Sequence, residues 1–128
     1  SIKGRHLLLA EDNELNVEIA KTLLEDEGAV VTIVHDGQQA VDVFESRPQG
    51  TFDAILMDVM MPVIDGLSAT RKIRALDRKD AGSIPIIAMT ANAFDEDVRQ
   101  CMEAGMNAHL SKPLEMKKVV ETIAGYCG

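Results

Sequence analysis

Five short aliphatic runs, at residues 6–10, 30–34, 52–57, 84–89 and 108–111, alternate with segments whose apolar residues recur at helical spacing. Runs this short suit buried strands and are too short for helices that pack alone. Strand and helix in strict alternation imply parallel strands joined by crossover helices, with helices on both faces of the sheet. Five such units fall short of an eight-stranded barrel. The expected fold class is therefore α/β: a doubly wound, five-stranded parallel sheet forming a single domain over residues 1–128.

The intervening segments carry start and stop signals. Asn13 to Asn16 open a helix whose stripe is Val17, Ile19, Ala20, Leu23 and Leu24, and Gly28 closes it as a C-terminal cap. Asp36-Gly37 leads into Ala40, Val41, Val43 and Phe44. Asp65 is an N-cap for a helix carrying Leu67, Thr70, Ile73 and Leu76. Residues 77–83 read as a polar loop. Phe94, Val98, Cys101 and Met102 give a fourth helix ending at Gly105, and Met116, Val119, Val120 and Ile123 give the last.

Composition narrows the function classes. A net charge of -8 and 3% aromatic residues argue against direct nucleic-acid binding, which needs cations and stacking platforms. No apolar run approaches the ~20 residues of a membrane span, so no membrane contact by this domain is expected. Cys101 and Cys127 lack metal-ligand spacing and suggest no disulfide framework, which fits a reducing cytoplasm. Most of the seven methionines, Cys101 and the acidic excess read as core filling and solvated helix faces.

Chemistry-bearing residues cluster at the ends of four of the runs. Glu11 and Asp12 follow the first, Asp58 the third, Thr90 the fourth and Lys112 the fifth. Open parallel sheets bind ligands just outside the carboxyl ends of their strands, so these groups converge on one site. Taken singly, each has a bland reading: a loop-entry acid, a turn threonine, a solvated lysine. Three carboxylates together repel one another unless a cation is present, and Mg²⁺ takes such oxygens while retaining waters. An ionised Asp58 beside Mg²⁺ is a competent nucleophile toward phosphorus. The Lys112 ammonium and the Thr90 hydroxyl suit phosphoryl oxygens. Pro113 fixes the turn and holds Lys112 extended.

At these residues the chain resembles the receiver domains of two-component response regulators. The matches are Leu9-Ala10-Glu11-Asp12-Asn13, Met57-Asp58-Val59-Met60-Met61-Pro62, Asp65-Gly66, Met89-Thr90-Ala91 and Lys112-Pro113, in the family's order over the whole chain. The resemblance implies a flavodoxin-like fold with strand order 2-1-3-4-5. It makes Asp58 the phosphoacceptor and makes Glu11, Asp12, Asp58 and the Met60 backbone carbonyl the Mg²⁺ ligands. Thr90 and Lys112 become the phosphoryl contacts, and Ala91 the small residue that leaves the site open. Thr90, His109, Lys112 and Pro113 become switch positions, with His109 standing where the family usually has Tyr or Phe.

Met89-Thr90-Ala91-Asn92-Ala93 and Gly105-Met106-Asn107-Ala108 resemble receivers fused to hybrid sensor histidine kinases. The chain starts at Ser1 without Met and is expected to be a piece of a longer protein, the cytoplasmic part of a membrane-anchored kinase. The implied function is a phosphoacceptor in a phosphorelay, assisting its own aspartyl phosphorylation and dephosphorylation. Its implied partners are a histidine kinase or histidine phosphotransfer domain, with a homodimer through the fourth helix and fifth strand. Two alternatives stay open at this point: a pseudo-receiver acting only as an interaction module, and an Asp-dependent phosphatase of another α/β fold. A phosphatase would place its nucleophile directly after the first strand with a second acid two residues on, where this chain has Asp12 followed by Asn13-Glu14.

Overall fold

A computed structural model describes residues 2–91, 95–112 and 114–127, without the side chains of Asp95 and Cys127. Its strands are β1 (His6–Ala10), β2 (Val30–Val34), β3 (Ala54–Asp58), β4 (Ile86–Thr90) and β5 (Ala108–Ser111). Its helices are α1 (Glu14–Asp26), α2 (Gly37–Ser46), α3 (Gly66–Arg74), α4 (Lys79–Ser83), α5 (Asp95–Ala104) and α6 (Met116–Cys127). All strand pairs are parallel and the order is β2-β1-β3-β4-β5. The expected sheet and strand order are therefore present.

Alternation along the strands builds two apolar layers. Leu8, Ile55, Met57, Ile86 and Ala88 face Phe44, Ala69, Ile73 and Cys101, from α2, α3 and α5. Leu7, Leu9, Leu56, Ile87 and Met89 face Ala20, Leu24, Val119 and Ile123, from α1 and α6. The central strand β3 is buried along its whole length, Asp58 included.

The helices after β1, β2 and β3 each begin at a side-chain cap. Asn13 accepts from the Asn16 N–H at 3.0 Å, Asp36 from Gln39 at 2.7 Å and Asp65 from Ser68 at 2.7 Å. Each satisfies a backbone donor that a helix start leaves unpaired. Gly28, at φ +88°, ends α1 as expected.

Some expectations need correction. Residues 77–83 are not all loop, because Lys79–Ser83 form α4, whose Ala81 is buried. A single apolar residue in a polar stretch gives no periodicity to read. The third strand starts at Ala54 and ends on Asp58, and the fourth runs from Ile86 through Thr90. Both acid and hydroxyl thus belong to the ladders. Ile19 is 48% exposed, so α1 buries a narrower stripe than expected. Met60 and Met102 are exposed and fill no core. Phe94 lies outside the described residues, as does the side chain of Cys127.

Candidate functional site

Backbone pairing carries the functional positions beyond the strand ends. The Glu11 N–H donates to the Val34 carbonyl at 3.1 Å, Val59 to Met89 at 3.1 Å, and Lys112 to Thr90 at 2.9 Å. Each bond extends a parallel ladder by one residue. The sheet itself therefore fixes where Glu11, Asp58 and Lys112 project, at the carboxyl edge of β1, β3 and β5.

There the side chains meet. Lys112 Nζ lies 2.8 Å from Glu11 Oε2 and 3.0 Å from Asp58 Oδ2. Glu11 and Asp58 are 2% and 3% exposed, respectively, so both carboxylates are held in a poorly solvated place. Their second oxygens are also engaged. Glu11 Oε1 accepts from the Asn13 N–H at 3.1 Å, and Asp58 Oδ1 from the Met60 N–H at 3.2 Å.

These surroundings separate the two acids. Burial pushes Asp58 up to about 6; the Lys112 hydrogen bond opposes this and the charge of Glu11 adds to it. Burial also pushes Glu11 up, but Lys112 and the Asn13 N–H outweigh it and hold Glu11 below the ordinary carboxylate range. Lys112 loses solvation through burial, yet its bonds to Glu11 and Asp58 raise it overall. At neutral pH the site therefore holds two carboxylates against one ammonium, before Asp12 is counted.

Asp12 is exposed, and oxygens of Glu11, Asp12 and Asp58 lie within 4.8 Å of one another. Mg²⁺ takes oxygen ligands at about 2.0–2.1 Å, keeps several waters and is usually held by one or two carboxylates, which these acids can supply. The donor set is all hard oxygen and carries excess negative charge. These residues fit a magnesium ion.

The other expected positions are placed as follows. Thr90 closes β4, half-buried and in register with Ser111. Ala91 is exposed. His109 is exposed on β5, in register with Ala88. Pro113 lies outside the described residues.

Sequence reading missed residues that shape the site without chemistry of their own. A Cβ on Gly66 would fall inside the 3.0 Å that Cβ contacts respect, against the Asp58 carbonyl oxygen. Gly66 also donates its N–H to the Val59 carbonyl at 2.9 Å, seating α3 on the acceptor strand. Val63 takes φ +68° in the loop between them, an unusual conformation for a β-branched residue. Asp65-Gly66 is visible as a helix start, but nothing in the letters tells a turn glycine from a close-approach glycine.

This chain resembles known proteins over most of its length. A hybrid signal transduction histidine kinase from Dictyostelium discoideum is 42% identical over 119 residues, covering 91% of this chain and 7% of that protein. The sensor protein GacS of Pseudomonas syringae is 36% identical over 129 residues, covering 100% of this chain and 14% of its own length. The chain thus spans a small fraction of these relatives. Among solved structures, the receiver domain of a Pseudomonas aeruginosa sensor histidine kinase, with magnesium coordinated in its active site cleft, superposes with a TM-score of 0.88. It is 42% identical and each chain is 98% covered. The Saccharomyces cerevisiae complex of a histidine phosphotransfer protein with the receiver domain of its response regulator gives a TM-score of 0.86 at 26% identity, covering 97% of this chain and 89% of that one. The family model described as the response regulator receiver domain matches residues 7–124, and this chain belongs to that family.

Proposed function

We propose that this receiver domain takes a phosphoryl group from a phosphohistidine onto Asp58, within a larger hybrid histidine kinase of the cytoplasm. The observation that carries the assignment is Lys112 poised between two buried carboxylates, at 2.8 and 3.0 Å. Asp58 attacks phosphorus through one carboxylate oxygen, the P–N bond breaks, and its electron pair stays on the leaving imidazole. Lys112 neutralises Asp58 before transfer and can turn to the phosphoryl oxygens afterwards. The Met60 N–H orients the acceptor carboxylate. Glu11, Asp12, Asp58 and the Met60 carbonyl would hold Mg²⁺, which supplies charge neutralisation for the transferring group.

Phosphorylation then draws Thr90 and Lys112 toward the acceptor and biases the surface of α5 and β5, with His109 and Pro113 in the same switch. A homodimer would use the same surface, where β5 is an edge strand and Met102 on α5 is 49% exposed. For the phosphodonor, Leu15, Ile19, Met60 and Val63 are exposed apolar residues of α1 and the β3–α3 loop. They offer a docking rim for a phosphohistidine-bearing protein, the class of partner that binds a receiver domain in the yeast complex.

Intact-mass measurement after incubation with Mg²⁺ and a small phosphodonor tests the assignment. One acid-stable, base-labile phosphoryl group is expected on the wild type and none on Asp58→Asn. Equal labelling of both would overturn it. No labelling of the wild type, with Mg²⁺ bound, would favour a pure interaction module.

A further inference from the structure

We infer that Gly37, at the start of α2, is a positioning residue for the phosphoacceptor loop. The inference rests on the reading of Asp58 as acceptor and goes beyond it, since the atoms nearest a Cβ on Gly37 belong to Ile64, outside the acceptor site. Its backbone is ordinary and does not need glycine for its dihedral angles. What it needs is space. A Cβ on Gly37 would overlap the Ile64 carbonyl oxygen and come within 2.7 Å of Ile64 Cγ1 and 3.0 Å of the Ile64 carbonyl carbon.

One side of that contact cannot yield. Asp36 caps α2 by accepting from the Gln39 N–H at 2.7 Å, while the Gln39 side chain accepts from the His35 N–H at 2.9 Å. These two bonds, one to the cap residue and one from the residue before it, hold the first turn. Ala40, Val41 and Phe44 anchor the next turns in the core. Any adjustment must therefore come from the β3–α3 loop.

That loop is held at both ends by the acceptor. Its Met60 N–H meets Asp58 Oδ1, and Gly66 closes it against the Asp58 carbonyl. Between them Val63 sits at φ +68°, a conformation that a β-branched residue keeps only where its surroundings impose it. Gly37 meets the loop at the next residue, Ile64, from the neighbouring helix. A displacement at Ile64 passes along six residues to the carboxylate and to the Met60 peptide.

The test compares wild type, Gly37→Ala, Val63→Gly, the double variant, and Gly82→Ala, where an added Cβ meets nothing within 4 Å. Each is measured well below its melting temperature. Gly37→Ala should slow Asp58 labelling at saturating Mg²⁺ at least tenfold and shift the Met60 amide resonance in metal-free protein. Gly82→Ala should do neither. Val63→Gly should recover most of the rate in the double variant, because glycine lets the loop absorb the displacement at its tip. A lowered melting temperature with a labelling rate within twofold of wild type and an unmoved Met60 amide would make Gly37 merely structural and overturn the inference. Should Gly37→Ala not fold alone, the double variant is compared with Val63→Gly at the Met60 amide: a residual shift is expected, and an unmoved resonance would overturn the inference. Absence of labelling in the wild type would overturn the acceptor reading instead, and the Met60 amide would then decide the role of Gly37.

Discussion

Lys112 Nζ sits 3.0 Å from Asp58 Oδ2 although their strands, β5 and β3, are not neighbours: β4 runs between them. The same ammonium reaches Glu11, which follows β1. One flexible side chain thus ties the carboxyl edge of the sheet across its width. It compensates two carboxylates that burial would otherwise penalise.

Removing that cation leaves Glu11 and Asp58 facing one another with little solvent. Lys112→Met should cost about 3 kcal/mol at pH 7 in metal-free protein, in the range for a buried ion pair stripped of one partner. The loss should shrink at pH 5, where Asp58 carries a proton. Added Mg²⁺ should stabilise the variant more than it stabilises wild type. Urea denaturation with chelator and with Mg²⁺ measures all three. A pH-independent loss below 1 kcal/mol would show that Lys112 is not the compensating charge.

Asp58 gives metal-free stability a definite pH dependence. Its folded value is raised from 3.8 to about 6. The native state therefore binds a proton, as pH falls through 6, that the unfolded chain does not bind until near 4. Stability should rise from pH 7 to pH 5 by roughly 1.3 kcal/mol. Glu11 and Asp80 are shifted the opposite way, so their contributions are lost only as pH falls below 4.5 and 3.8, respectively. Denaturation at half-unit pH steps in chelator measures this rise, and Asp58→Asn should abolish it. A wild-type profile flat between pH 7 and 5 would contradict the raised value.

How far the sequence leads depends on what its letters encode. Continuous apolar runs such as Leu7-Leu8-Leu9 and Ile55-Leu56-Met57 marked the strands, because a parallel sheet covered on both faces buries every side chain along them. Position at strand ends gave Glu11, Asp58 and Lys112, because parallel sheets gather those ends on one edge. Exposure was less legible. Ile19 fits the helical stripe of α1, yet what covers a helix is set by the width of its neighbours. The contacts of Gly37 and Gly66 were invisible, since a missing side chain records no direction. Nothing in the sequence marks Arg74 off from Arg71 and Lys72 on α3, because its partners come from chain segments far along the sequence.

Asp12 differs from the other two acids in being exposed, so its charge is not needed by the fold. Asp12→Ala should leave metal-free stability within about 0.5 kcal/mol of wild type or raise it, by relieving like-charge repulsion. It should weaken Mg²⁺ binding at least tenfold, through loss of one of three carboxylates. Thermal melts across a Mg²⁺ titration check both. A metal-induced shift equal to that of wild type would remove Asp12 from the site.

The far end of the sheet depends on Arg74. Its guanidinium donates to the Gly105 carbonyl from Nε at 3.0 Å and Nη2 at 2.8 Å, to the Ala81 carbonyl at 3.0 Å, and to Asn107 Oδ1 at 2.8 Å. Asn107 Oδ1 also accepts from the Ile86 N–H at 2.9 Å, and the Tyr126 hydroxyl donates to the Asn107 carbonyl at 2.8 Å. One cation thereby joins α3, α4, the α5–β5 corner and the start of β4, and the corner is linked onward to α6. Burial lowers the guanidinium below its ordinary value, but Arg still stays charged. Arg74→Met keeps the packing of the stem and strands those acceptors, so a loss of about 2–4 kcal/mol is expected. Combined with Asn107→Ala, the two losses should be non-additive by about 1 kcal/mol or more, because both remove the same bond. Asp58 labelling should be unchanged under folding conditions, since α3 carries Arg74 roughly 12 Å from the end that abuts Asp58. Urea denaturation of the double-mutant cycle, with intact-mass labelling of each variant, measures both. Strict additivity, or a loss under 1 kcal/mol for Arg74→Met, would show that the corner is held by packing and not by the arginine.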